Sequence, residues 1–362
     1  METATTADLW LHDRRYDLFW YLVVPVLLFF GLQAYCTALG PNGPMYTYMT
    51  TAVLTGLTHN SITWLLILPA DSRKFYAAGT LFVPFLVTSL VLIPSIVLFQ
   101  GPFMGYALAL NITIAYFHIT RQHQGMLHVC DGRYVQATGD QGFRAYARDL
   151  RWLVGAVAAT GLTAKLSGGP MLMGFLKHPL PFPLHLPPQP AWVLGALSVF
   201  LAVRLGYHTW QRHRAGHRFP VMHAVMGGTA LANLVAASCV PNASFFLTLA
   251  LVSSYHNLQY FAFCYTHHHL RARETGEDSL YARLAREQSW GWWFAIPMAC
   301  GLVFAGLTAL LPPLAADIAA TWFMTSHYFV DGNIWRRKFY PQMGRLGAGR
   351  VAAEPRLEEV AA

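Results

Sequence analysis

Histidine is the residue type that carries chemistry in this chain, with 16 histidines set against 17 Asp and Glu. Five of them, His59, His118, His223, His256 and His327, stand inside or at the end of long apolar stretches. All but His223 are accompanied by more polar groups than a lipid-facing helix tolerates. Asn60 follows His59, and Arg121, Gln122 and His123 follow His118. Tyr255, Asn257, Gln259 and Tyr260 flank His256, and Asp331 and Asn333 follow His327. Ionisable groups at membrane depth face an interior site far more often than lipid, and such sites carry function. Asp331 lies one helical turn beyond His327, so the two share a face. A carboxylate so placed either orients the imidazole or joins it as a ligand. His256, Phe263 and His267 also fall near one helical stripe, which His267, His268 and His269 extend towards the cytoplasmic mouth.

Imidazole nitrogens with few carboxylates suit iron, copper or zinc, whereas magnesium and calcium prefer oxygen ligands. A substrate reached from within a bilayer is apolar, and attack on an unactivated C–H or C=C bond calls for dioxygen at a redox metal. Ferritin-like di-iron sites need several Glu residues and E-x-x-H pairs, which are absent. A membrane zinc protease is disfavoured because H-E-x-x-H is absent. The five cysteines are scattered singly, without a C-x-x-C pair, and so indicate neither a disulfide framework nor a zinc knuckle. One buried histidine alone is more often a helix-packing residue than a ligand. His12, His128, His208, His213 and His217 lie near loop arginines, where a solvated basic face is the default reading. Convergence of several imidazoles at one depth is what lifts the group above that background.

The elements that must position these residues follow from composition. The chain has 362 residues, 55% hydrophobic and only 12% charged, too little charge to cover a soluble globule of that size. Apolar stretches of membrane-spanning length run at about 18–39, 46–69, 77–99, 102–119, 152–166, 191–207, 221–239, 244–265, 291–311 and 315–335. The expected fold is therefore all-α, a polytopic helical bundle of about ten transmembrane helices with both termini cytoplasmic. Under that topology 23 of the 25 Lys and Arg fall on the cytoplasmic side, all but Lys165 and Lys177. The net charge of +8 is thereby a matter of topology, and no nucleic-acid partner is implied. Fourteen of the 16 histidines, all but His178 and His185, segregate to the same side. The first apolar run lacks a small-residue cleavage site and reads as a retained span, which places the protein in a membrane as a multi-pass chain, a bacterial inner membrane being the expectation. Residues 1–340 form one transmembrane domain, and 341–362, rich in Gly, Ala and Glu, form a disordered cytoplasmic tail. The segment Ser167 to Pro190 carries seven prolines and reads as a stiff cap or re-entrant lid. The cytoplasmic segments at about 120–150 and 266–290 are long enough for amphipathic surface helices.

Two groups of His-rich membrane oxygenases offer a comparison. The desaturase and alkane-hydroxylase boxes are approximated only by His118 to His123 and His267 to His269, at the wrong spacing. The order of singly placed motifs resembles the Brp/Blh family of retinal-forming β-carotene cleavage enzymes. The resemblance lies at Thr58-His59-Asn60, at Phe117-His118-Ile119, at the aromatic stretch from Tyr260 to His269, and at Ser326-His327-Tyr328-Phe329-Val330-Asp331. Asn60 stands where that family has glycine, the prolines before His59 and His327 are missing, and the last His-to-Asp spacing is one residue shorter. The resemblance implies a polytopic enzyme with non-haem iron held by His59, His118, His267 or His256, and His327.

The expected function is accordingly an integral-membrane non-haem iron oxygenase, with one or two iron ions and dioxygen as co-substrate, acting on a hydrophobic or amphiphilic small molecule. His59, His118, His256 and His327 are the expected ligands, with His123, His223 and His267 completing a second metal or an outer layer. Asp331 would orient or ligate, Tyr255 and Tyr260 would hydrogen-bond bound oxygen, and Asn60 and Gln259 would hold polar groups of the substrate. Membrane lipids and an electron-donor protein are the expected partners. The alternatives are a haem-binding electron-transfer protein with paired axial histidines and a metal or proton transporter. Confinement of the polar groups to one side argues against a transporter.

Overall fold

The architecture is that of a computed structural model, which describes residues 10–67, 86, 89–90, 103–168, 172–175, 178–181, 185–241, 245–275 and 279–334. Helices occupy nine of the ten expected stretches, and the third, 77–99, lies outside the described residues apart from Leu86, Ser89 and Leu90. We number the helices α1 (Arg14–Ala38), α2 (43–67), α3 (Phe103–Thr138), α4 (Phe143–Ser167), α5 (Gln189–Arg214), α6 (Val221–Cys239), α7 (Phe245–Thr275), α8 (Leu280–Arg286), α9 (Trp290–Ala309) and α10 (Pro313–Ile334). The expected tail after 340 also lies outside the described residues.

Among the described residues, four helices are long and apolar enough to cross a membrane by themselves: α1, α5, α6 and α9. Three of these bury little of themselves in the protein, and their exposed side chains are large and apolar. Val26, Leu27 and Phe30 on α1, Trp192, Val193 and Phe200 on α5, and Val303 and Leu307 on α9 all face outward. Such a surface is stable against lipid and unstable against water. The helix α7 is the converse, carrying hydroxyl, amide and imidazole groups that are almost all buried among its neighbours. It packs against α1, α2, α3, α6 and α8, while α9 and α10 close over α2, and α4 holds α3, α5 and α6 together.

The segments at about 120–150 and 266–290, expected as surface helices, for the most part prolong the long apolar helices, with one separate short helix, α8, at Leu280–Arg286. Helix α3 is 36 residues long, about 54 Å at 1.5 Å per residue, and stops only at Gly139, whose φ of +70° only glycine adopts without strain. Helix α4 likewise begins at Phe143, well before its apolar stretch. Helix α5 ends at Gly216 (φ +75°), where the Gly216 N–H reaches the His213 carbonyl and the His217 N–H the Arg212 carbonyl, each at 3.0 Å, the paired bonds of a Schellman stop. The proline-rich segment carries a small antiparallel hairpin, Leu172–Phe175 with His178–Pro181, the only strands among the described residues.

The prolonged helices are tied together by carboxylates set between basic groups. Asp131 on α3 is met by Arg151 of α4 and by His223 of α6 at 2.8 Å. Asp149 on α4 receives Arg204 at 2.8 Å and His208 at 3.3 Å, both from α5. Asp140 receives Arg212 at 2.6 Å and His217 at 3.3 Å, while the Arg212 guanidinium also lies 4.8 Å from the Phe143 ring centre and donates to the Tyr134 hydroxyl. Thus His128, His208 and His217, expected to be a solvated basic face, each lie within ion-pair distance of an aspartate. Asp17 plays the same part at the N-terminus, accepting from the Leu11 N–H at 2.6 Å and the His12 N–H at 3.2 Å, while Arg133 donates to the Leu11 carbonyl.

Candidate metal centre

Three helices bring four ligand-bearing side chains to one point. His59 comes from α2, His118 from α3, and His327 with Asp331 from α10; one ligand atom from each lies within 4.8 Å of all the others, and all four residues are buried. The local reason differs from helix to helix. On α2 the segment Ala52–Leu57 is a π-helical turn directly before Thr58, and such turns re-aim the residues that follow them. It leaves the whole run from Thr58 to Thr63 buried. Gly301 of α9 permits the approach to this turn, since a Cβ there would lie 3.0 Å from the Leu57 carbonyl carbon and 3.1 Å from the Thr58 nitrogen. On α3, His118 turns inward while its neighbour Phe117 is exposed.

Asp331 is the hinge of the arrangement. Its Oδ1 accepts from the Thr63 hydroxyl at 2.8 Å and from the Tyr260 hydroxyl at 2.9 Å. Its Oδ2 has no hydrogen-bond partner, and instead lies 3.5 Å from His59 Nε2 and 3.8 Å from His118 Nε2. Both nitrogens of His59, Nε2 of His118, and Nδ1 of His327 are likewise buried without a hydrogen-bond partner. A buried polar atom left unpaired costs roughly 1–3 kcal/mol, so five in one pocket is an unfavourable arrangement for the protein alone. One cation would satisfy four of them together, one nitrogen from each imidazole and the carboxylate oxygen. Ligands about 2.1 Å from a shared ion stand at most about 4.2 Å apart, so the group need close by only a fraction of an ångström. The donor set, three imidazoles and a carboxylate, fits a borderline transition metal.

Around this group lies a second layer. The His256 ring of α7 stands 5.0 Å from His59 and 5.2 Å from His118, and its Nδ1 has no hydrogen-bond partner. His123 is 5.9 Å from His256, with its Nδ1 held by the Gln259 Oε1 at 2.5 Å. The Gln259 amide in turn donates to the Tyr255 hydroxyl at 3.2 Å, which shares a hydrogen bond with Thr229 at 2.7 Å. Gln259 and Tyr255 therefore orient His123, and Asn60 is buried beside His59.

The structure thus brings together His59, His118, His327 and Asp331, sets His256 and His123 beside them, and places Tyr260 on the carboxylate. It does not bring His223 there. That imidazole is held against Asp131 with its ring 4.7 Å from Phe143, in the ion-pair layer between α3, α4 and α6. His267 is buried further along α7, 5.5 Å from His268 and outside the group of close ligand atoms. Two contacts went unread in the sequence. Thr63, which holds Asp331, sits one turn after His59, and that i, i+4 spacing was the available signal. Tyr328, whose ring is 4.6 Å from His118 and 4.3 Å from His327, was hidden by following His327 in sequence. Compared with known protein families, with curated proteins and with solved structures, the chain matches none.

Proposed function

We propose that the protein is a multi-pass membrane oxygenase of about ten spans, with both ends cytoplasmic, whose buried histidines hold non-haem iron and whose substrate is a hydrophobic or amphiphilic small molecule. The observation that carries this reading is the set of unpaired, buried nitrogen and oxygen atoms of His59, His118, His327 and Asp331, gathered from three helices. The one-sided distribution of Lys and Arg supports the topology, and the outward apolar faces of α1, α5 and α9 support the membrane.

Iron in this position supplies the redox chemistry with dioxygen that protein side chains lack. The chain supplies position and a dry surrounding. Thr63 and Tyr260 fix Asp331 so that its free oxygen faces the imidazoles, which is how an outer hydrogen bond sets the direction of a ligand. Gln259 fixes the ring of His123, which together with His256 would complete a second ion if the centre is dinuclear. The resemblance to the Brp/Blh enzymes at His59, His118 and His327 agrees with this reading, with a polyene among the substrates to be tried. A haem carrier is less well supported. The Asp331 carboxylate approaches both His59 and His118 within 3.8 Å, which leaves no flat gap for a macrocycle between them.

The test is metal analysis by mass spectrometry of detergent-purified protein, with an absorption spectrum of the same sample. One or two irons per chain without a Soret band is the expected result. A Soret band, or a protein that takes up no metal on reconstitution, overturns the proposal.

A further inference from the structure

Each of the four helices around the centre repeats one spacing, a histidine followed four residues later by a polar side chain. The pairs are His59 and Thr63 on α2, His118 and Gln122 on α3, His256 and Tyr260 on α7, and His327 and Asp331 on α10. Side chains at that spacing stand one above the other. The histidines meet as one tier, with ring centres 4.9 Å apart for His59 and His327, 5.0 Å for His59 and His256, and 5.2 Å for His118 and His256. Three members of the next tier also meet. Thr63 and Tyr260 donate to Asp331, and their hydroxyls lie 3.3 Å from each other. Because both tiers close, α2, α7 and α10 run the same way. Helix α3 runs with them, since His118 faces His256 and His123 reaches Gln259, three residues further along α7. Gln122 therefore belongs to the second tier, level with Gln259 and Tyr260.

Gln122 is the member left out of these bonds. Both its Nε2 and its Oε1 are buried without a hydrogen-bond partner. The side chain projects about 40° round α3 from His118, and that of His123 about 140°, so the amide leaves the helix between two imidazoles. Both of those rings face His256. The basic neighbour takes no part, because Arg121 is exposed and donates to the Gln124 side chain at 3.1 Å. Gln259, expected to hold a polar group of the substrate, is already occupied, its Oε1 by His123 and its Nε2 by Tyr255. An amide stripped of water on both atoms is costly unless something replaces it. A ligand can reach it, since Gln122 as a residue is only half-buried, as is Tyr328 where it packs on His118 and His327.

We infer that the Gln122 amide seats the polar head of the substrate, and that this head is a neutral group that both gives and takes a hydrogen bond, as an alcohol does. The inference rests on the oxygenase reading and deepens it by naming the substrate class, a hydroxylated amphiphile. The chemistry of the amide sets the class. Its NH2 only donates and its oxygen only accepts, so a ketone or an ether leaves the oxygen unpaired and an alkane leaves both. A hydroxyl serves both. An anionic head is the poorer match, because it meets the Asp331 carboxylate in the same tier and the neighbouring Arg121 is turned away. Gln122 is thus a positioning residue, which holds one end of the molecule a helical turn from the histidine tier.

The experiment uses the full-length protein in lipid nanodiscs, anaerobic, with iron content measured on every sample. Binding of tritiated decanol, decanoate and decane is measured after subtraction of their uptake by empty nanodiscs. The natural chain is expected to bind decanol at least about tenfold more tightly than decane, since a site made to bond a hydroxyl rejects the analogue without one. Gln122→Leu keeps most of the side chain's bulk and removes both amide atoms. It is expected to bring decanol down to the level of decane at unchanged iron content, and to melt no lower than the natural chain when no ligand is present. Gln122→Met, unbranched like glutamine, is expected to give the same loss. A preference for decanol that survives both substitutions overturns the subsite. So does a natural chain that binds decanol and decane alike, which leaves water as the partner of the amide, or one that prefers decanoate. A chain that takes up no iron but keeps the Gln122-dependent preference overturns the oxygenase reading and leaves the subsite in place.

Discussion

Asp331→Asn is the substitution whose outcome the structure constrains most tightly. The side chain keeps its shape, and an amide oxygen in the Oδ1 position still accepts from Thr63 and Tyr260, so the helices have no reason to move. What changes is the other atom, now an NH2 pointed at His59 Nε2 and His118 Nε2 from about the 3.5 and 3.8 Å separations of the carboxylate. That group donates to an imidazole and cannot bind a cation. In the metal-free variant the new amide therefore satisfies a nitrogen that was unpaired and removes a buried negative charge, and thermal stability without metal is equal to or above that of the natural chain. In the metal-bound variant a ligand or its orienting neighbour is lost, which weakens binding by about 10- to 100-fold. At a metal concentration 100 times the natural dissociation constant, binding stabilises the natural chain by about 2.7 kcal/mol; a 100-fold weaker site retains only about 0.4 kcal/mol. The assay is a thermal melt in detergent, with and without added ferrous iron under anaerobic conditions, alongside a chelator competition. A metal-induced shift that survives in Asp331→Asn at full size refutes the assignment of Asp331 to the centre. Asp149→Asn, which alters a buried carboxylate outside the site, controls for general effects.

His59→Ala, His118→Ala and His327→Ala each lose most of the bound metal, whereas His213→Ala, on the exposed end of α5, keeps it; mass spectrometry of purified protein decides, and the reverse pattern defeats the site. Gly301→Leu drives a side chain into the Leu57 and Thr58 backbone, so metal content falls although no ligand is touched, and full occupancy would show that the π turn does not depend on α9. Asp140→Ala leaves the partly buried Arg212 without its carboxylate and destabilises the chain by about 1–3 kcal/mol, read as a lower detergent denaturation temperature with metal affinity unaltered. With Cys239 and Cys300 replaced, His213→Cys and Leu311→Cys react with an impermeant thiol reagent from opposite faces of the membrane; labelling from the same face contradicts the topology.

Much of this was legible from residue order because depth along a helix is set by a fixed rise, so counting from the basic loops aligned His59, His256 and His327 at one level. Direction around the helix axis was legible only where two groups share one helix, as His327 and Asp331 do. His223 has the right depth and the wrong company: an aspartate on α3 claims it, and nothing in its own neighbourhood in sequence announces Asp131. Thr63 escaped notice because a lone threonine in an apolar helix most often bonds its own backbone, which Thr55 and Thr58 do here. Most of the length expected as surface helices at about 120–150 and 266–290 continues α3, α4 and α7, because no residue before Gly139 stops α3 and no proline interrupts α7, while α8 is a separate short helix. The loop arginines served the topology reading as a simple tally, and only packing reveals that Arg151, Arg204 and Arg212 each pair with an aspartate.

The burial of α7 bears on how the protein is made. A helix carrying Ser254, His256, Asn257, Gln259 and Thr266 in its middle gains little by entering lipid alone. Its partners α1, α2, α3 and α6 all precede it in the chain and leave the ribosome first. The groove they form is a less hostile destination than the bilayer, offering Thr229 to Tyr255, Thr55 to Asn257 and Thr63 to Tyr260 as α7 arrives. Order of synthesis thus does for α7 what hydrophobicity does for α1 and α9. The last candidate ligands, on α10, emerge only after that groove is filled, so a cation held there would close a structure already assembled around it.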